Sequence, residues 1–106
     1  MEKKSIDDFK TFNEKRFSKQ VLYKESGHTA FVLNFLPGQN LPDHKHPGMT
    51  LYLFVLEGTG LLYTDGKETV ITRNDILNIE EDEVLSILNN SENPLTIYVN
   101  LSKKKL

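Results

Sequence analysis

Two patterns of apolar and polar positions divide this chain. Leu95, Ile97, Val99 and Leu101 alternate with Thr96, Tyr98 and Asn100, the period of two expected of a strand with one face on a core and the other on a more polar surface. The run Thr50 to Leu56 does not alternate. Leu51, Leu53 and Val55 fall on one side and Tyr52, Phe54 and Leu56 on the other, so both faces of this strand need cover. Similar short segments fill the chain from Phe17 onward. Strands are predicted at Ser18 to Lys24, His28 to Leu36, Leu41 to His46, Thr50 to Glu57, Leu61 to Thr64, Lys67 to Thr72, Ile76 to Ile79, Val84 to Asn89 and Leu95 to Leu101. Turn residues punctuate them: Glu25-Ser26-Gly27, Pro37-Gly38, Gly58-Thr59-Gly60, Arg73-Asn74-Asp75 and, at Asp65-Gly66, a two-residue hairpin signal. No internal helical period interrupts them, so the pattern indicates an antiparallel sandwich or barrel.

The first residues differ. They are polar and charged, with Ser5 placed to cap one short helical turn. Phe9, Phe12 and Phe17 make this an arm that packs on something. The arm or a second subunit supplies the cover for the outer face of Thr50 to Leu56, and a homodimer is the expected assembly.

Composition narrows the function classes. The chain has 106 residues, suited to one domain. Its net charge of −2 provides no basic field for a nucleic-acid backbone, and Lys103 to Lys105 read as a short solvated tail. The absence of cysteine excludes disulfides, thiolate nucleophiles and sulfur-ligated metals. No apolar run is long enough to cross a bilayer, and no apolar stretch follows Lys3 and Lys4. The partner expected is therefore a small molecule, with no nucleic acid and no membrane, in a cytoplasmic protein. The acids Glu80 to Glu83 lack the alternating spacing of a calcium loop and read as a solvated turn. Gly58-Thr59-Gly60 precedes no helix and so is not a phosphate loop.

The candidate chemistry lies at His44 and His46, just ahead of the two-sided apolar strand. In an extended segment residues two apart point the same way, so these imidazoles share a direction, as a divalent transition metal requires. Asp43 alternates away from them, where it is placed to orient an imidazole from behind. His28 is the one other histidine.

Gly38, five residues, His44-x-His46 and a Gly58 that closes the next strand resemble the first motif of the cupin family. The family's glutamate falls at Thr50 or Leu51, and at Leu51 when counted back from Gly58. The second motif, laid through Asp75, meets Asn74 in place of its glycine, Glu80 and Asp82 in place of its proline and second glycine, and Leu85 in place of its histidine; Asn89 matches its asparagine. The resemblance extends over residues 17–102. It implies an all-β fold, the double-stranded β-helix or jelly-roll barrel of the cupin type, over residues 17–106, with an N-terminal arm at residues 1–16. It further implies a barrel pocket that includes His44, His46, Leu51, Leu85 and Asn89, and a divalent metal (zinc, nickel, iron or manganese) on His44 and His46 alone, held loosely because Leu51 and Leu85 stand at the other ligand positions.

Three functions follow as expectations. The first is a module that binds a small organic ligand, with Leu51, Leu53, Leu85, Ile87 and Val99 as its apolar wall. The second is a metal-dependent enzyme of the dioxygenase, isomerase or decarboxylase type. The third is a non-catalytic dimerising domain.

Overall fold

The computed structural model describes residues 1–104; Lys105 and the last residue lie outside them. Nine strands follow one 3-10 turn at Ile6–Phe9. They are β1 (Ser18–Glu25), β2 (His28–Phe35), β3 (Asn40–His44), β4 (Met49–Glu57), β5 (Thr59–Thr64), β6 (Lys67–Thr72), β7 (Ile76–Ile79), β8 (Leu85–Leu88) and β9 (Leu95–Lys103). Two antiparallel sheets result, one of five strands in the order β1-β2-β9-β4-β7 and one of four in the order β3-β8-β5-β6. Neighbours in the sheets are mostly distant in sequence, the jelly-roll arrangement in which the chain passes back and forth between two sheets.

The alternation decides what lies between the sheets. Leu51, Leu53 and Val55 of β4 pair across to Leu101, Val99 and Ile97 of β9, and these to Thr29, Phe31 and Leu33 of β2. Leu62, Ile71, Leu85 and Ile87 close the core from the other sheet. At the β5–β6 hairpin Asp65 and Gly66 both take positive φ, 49° and 82°, as the predicted two-residue turn requires. Gly58 has φ 88°, and a Cβ there would run into the carbonyl oxygen of Pro94, so this corner admits glycine alone.

The strand boundaries move where pairing or a turn overrides local pattern. β3 ends at His44 rather than His46, because the His46 carbonyl accepts from Met49 N–H at 3.1 Å and closes a turn over Pro47 and Gly48. β9 runs on to Lys103, since Ser102 still pairs with His28 and Lys103 with Met49. Ser5 sits at the start of the 3-10 turn, but its side chain makes no capping bond; its carbonyl accepts from Asp8 N–H instead.

The arm crosses the outer side of the five-stranded sheet. Asn34 Nδ2 donates to the Phe9 carbonyl at 2.9 Å, Tyr23 Oη to that of Glu2 at 3.1 Å and Gln39 Nε2 to that of Asn13 at 2.6 Å. Lys10 pairs with Glu57 at 3.2 Å. Val32, Asn34 and Thr96, which alternate away from the core, are fully buried. Phe17 stacks on Phe35 with ring centroids 5.5 Å apart. The two-sided strand is thus covered only in part, for Phe54 and Leu56 are half-buried while Tyr52 remains 46% exposed.

Candidate functional site

Between the sheets lies a cavity of about 280 Å³. Phe17, Lys19, Phe31 and Leu33 bound it on one side, Leu51, Leu53 and Val99 beneath, and Leu41, His44, His46, Leu85 and Ile87 opposite. The wall is built by register. Val99 lies between Phe31 and Leu53 in the five-stranded sheet, and Leu41 and His44 pair with Ile87 and Leu85 in the other.

His44 and His46 meet at this cavity although only His44 is in a strand. Their ring centroids are 4.6 Å apart and the planes stand at 81°, edge to face. His44 Nδ1 lies 2.9 Å from the Pro42 carbonyl. A carbonyl only accepts, so Nδ1 carries the proton and, in the neutral ring, Nε2 keeps its lone pair. Asp43 does not play the orienting part expected of it; it is exposed, and the backbone of the preceding proline does so instead. His46 Nδ1 is buried and has no hydrogen-bond partner among the described residues. Burial pushes the His46 pKa below the ordinary histidine value, and the nearby His44 and Lys19 push it the same way.

The loop that carries the histidines is tied at one point. Gly48 N–H donates to Glu81 Oε2 at 2.8 Å, Lys104 Nζ pairs with Glu81 Oε1 at 3.3 Å, and Lys104 N–H donates to the Gly48 carbonyl at 3.0 Å. The acidic run after β7 therefore holds this loop through one of its members. Glu80 and Glu83 close their own turn: Glu80 N–H donates to the Glu83 carboxylate and Glu83 N–H to the Glu80 carbonyl.

Of the residues expected in the pocket, His44, His46, Leu51 and Leu85 line it, as do Leu53, Ile87 and Val99 of the expected apolar wall. Asn89 is not among the lining residues. It is fully buried and turned into its own loop, donating to the carbonyls of Phe35 and Asn93 at 3.0 and 2.8 Å and accepting from Ser91 N–H and Oγ. His28 starts β2, exposed and outside the lining set. Glu57 is engaged with Lys10 at the far end of β4. Of the lining residues not expected there, Phe17, Lys19, Phe31, Leu33 and Leu41, Lys19 is the polar one. Phe17, Lys19 and Val21 are spaced for one face, but the adjacent Val21 and Leu22 obscure the alternation, and β1 has a register shift between Val21 and Tyr23.

The donor set is too small for a tightly held metal. Among the described residues no three histidine, cysteine or acidic side chains gather in a way that could hold a metal ion. The lining supplies two imidazoles, no carboxylate and the ammonium of Lys19. Two neutral donors beside a fixed positive charge do not fit a tightly held divalent cation.

No curated protein matches the chain. Solved structures match it closely in shape. The TT1209 protein of Thermus thermophilus superposes with a TM-score of 0.91 at 19% identity, over 99% of this chain and 100% of that one. An uncharacterized conserved protein with a double-stranded β-helix domain from Klebsiella pneumoniae gives 0.91 at 18%, over 97% and 90%. An RmlC-like cupin protein from Desulfovibrio desulfuricans gives 0.78 at 22%, over 87% of each. At such identities the likeness carries the fold. Residues 31–100 match the cupin domain family, a span that runs from the core of β2 almost to the end of β9, and by that match the chain belongs to the cupin family.

Proposed function

We propose that this cupin is a binding module for a small organic ligand, taken into the barrel against His44, His46 and the apolar wall. The observation that carries the reading is the make-up of the cavity lining: Leu33, Leu51, Leu53, Leu85, Ile87 and Val99 are apolar, and three nitrogen-bearing side chains, Lys19, His44 and His46, supply the polar groups, with His44 and Lys19 both near His46. Such a lining, a mostly apolar cleft with a few convergent polar groups, is what orients a small molecule. A buried ring nitrogen without a partner, on His46, is a polar group for which a ligand supplies the missing hydrogen bond. A loosely held divalent metal on His44 and His46 is a separate element of the proposal, and the reading does not depend on it.

Methyl and imidazole NMR spectra of the protein, titrated with a library of small organic acids, alcohols and amides, test the reading. The expected result is saturable shifts at Leu51, Leu85 and Val99 that weaken in the His44→Ala/His46→Ala variant and persist after chelator treatment. Shifts confined to the outer surface would overturn it. Near-stoichiometric metal in protein purified without chelator or affinity tag, lost in the double variant together with ligand binding, would transfer support to a metal-dependent enzyme.

A further inference from the structure

The polar side chains of the cavity lining are Lys19, His44 and His46, all of them basic. Lys19 of β1 is in register with Leu33 of β2; the residue as a whole is exposed, at the mouth of the cavity that it helps to line, and its Nζ stands 4.4 Å from the centre of the Phe31 ring, a contact that draws the ammonium toward the cavity wall. Among the described residues no carboxylate lies within ion-pair distance of it. Neither aspartate nor glutamate lines the cavity. We propose that the ligand is a small monocarboxylate with an apolar body, its carboxylate held between Lys19 and the His44–His46 pair and its body against Leu51, Leu85 and Val99.

This inference rests on the binding-module reading and narrows it to one ligand class. A cationic ligand would face the Lys19 ammonium with no acid to offset it. A sugar would need acceptors for its hydroxyls, and the lining side chains have only imidazole nitrogens to offer them. A phosphate ester brings up to two negative charges, and the lining offers one ammonium and no arginine fork to match them. A monocarboxylate matches one fixed ammonium, gains hydrogen bonds from the imidazoles and leaves its remainder for the apolar wall. The cavity of about 280 Å³ is roughly twice the ~150 Å³ that takes up a benzene ring, so the body is of the size of a phenyl or medium alkyl group.

Calorimetric titration with octanoate and phenylacetate, each beside its uncharged amide, tests the proposal on the wild type and on Lys19→Gln and Lys19→Arg. Carboxylates should bind at least ~10-fold more tightly than their amides, the size of one charge-assisted hydrogen bond. That preference should vanish in Lys19→Gln, return in Lys19→Arg, and shrink as salt is raised. Equal binding of acids and amides would overturn the carboxylate assignment and leave the binding module standing. No binding of either type would overturn both. Carboxylate binding that needs added zinc or nickel and ignores Lys19→Gln would place the positive charge on a metal and overturn the role of Lys19.

Discussion

Asn34 is a polar side chain with no exposure, and its amide is fully engaged: Nδ2 donates to the Phe9 carbonyl and the Ser18 hydroxyl, and Oδ1 accepts from Thr96 Oγ1 at 2.9 Å. It joins the arm, β1 and β9 through one residue of β2. Asn34→Leu leaves the Thr96 hydroxyl and the Phe9 carbonyl without these partners, at a cost of about 2–3 kcal/mol. Urea unfolding should show a lower midpoint by that measure. The double variant Asn34→Leu/Thr96→Val should recover part of the loss, because removing both members of a buried polar pair costs less than orphaning one. Full additivity of the two substitutions would mean that the hydrogen bond between them contributes nothing.

The elements around the histidine loop act as a clamp. Glu81, in the turn between β7 and β8, accepts the Gly48 amide and pairs with Lys104 beyond β9. Its carboxyl is held below the ordinary glutamate range, first by the Gly48 hydrogen bond and then by Lys104. A depressed carboxyl pKa means that the unfolded chain takes up protons more readily than the native one. The stabilisation is therefore present above the unfolded value of about 4.3 and is lost as pH falls through the native value. Glu81→Gln should speed hydrogen exchange at the Gly48 amide while leaving core amides such as Val99 protected. In the wild type the Gly48 amide shift should follow an acid titration that the variant lacks. A Gly48 amide equally protected in both proteins would show that the loop is fixed by its own turn.

At the scale of the whole molecule, the outer face of the five-stranded sheet is the unfinished surface. Pairing sets Val32, Tyr98, Phe54 and Ile76 in one row across it; the arm side of that row is buried, whereas Ile76 is 73% exposed. A homodimer that covers the open end is the assembly proposed, and light scattering at micromolar concentration should give twice the chain mass, returning to one chain in Ile76→Glu. A monomeric wild type would remove it. The strands were legible in the sequence because alternation and turn residues are local signals: Lys67–Thr72 and Ile76–Ile79 needed no adjustment. The site was legible at Val99, where alternation is clean, at Leu51 and Leu53, which share one side of their strand, at Ile87, and where the histidine spacing speaks for itself. It was hidden where backbone geometry decides. The irregular register of β1 masked Lys19, the Pro42 carbonyl took the place expected for Asp43, and Asn89, matched by motif position, spends its hydrogen bonds on its own loop.

The position of Lys19 has a second effect, unrelated to any ligand. β1 is an outermost strand of its sheet, and such a strand offers a free row of amides and carbonyls on which another chain can build. A lysine on an edge strand guards against this, since a chain added alongside would have to desolvate its charge. The residue assigned to recognition thus also guards the barrel against edge-to-edge growth. A lineage or an engineer that exchanges Lys19 for an apolar residue to admit neutral ligands gives up that protection, which makes arginine, the exchange that keeps the charge, the safer one and filament growth the hazard of the apolar ones.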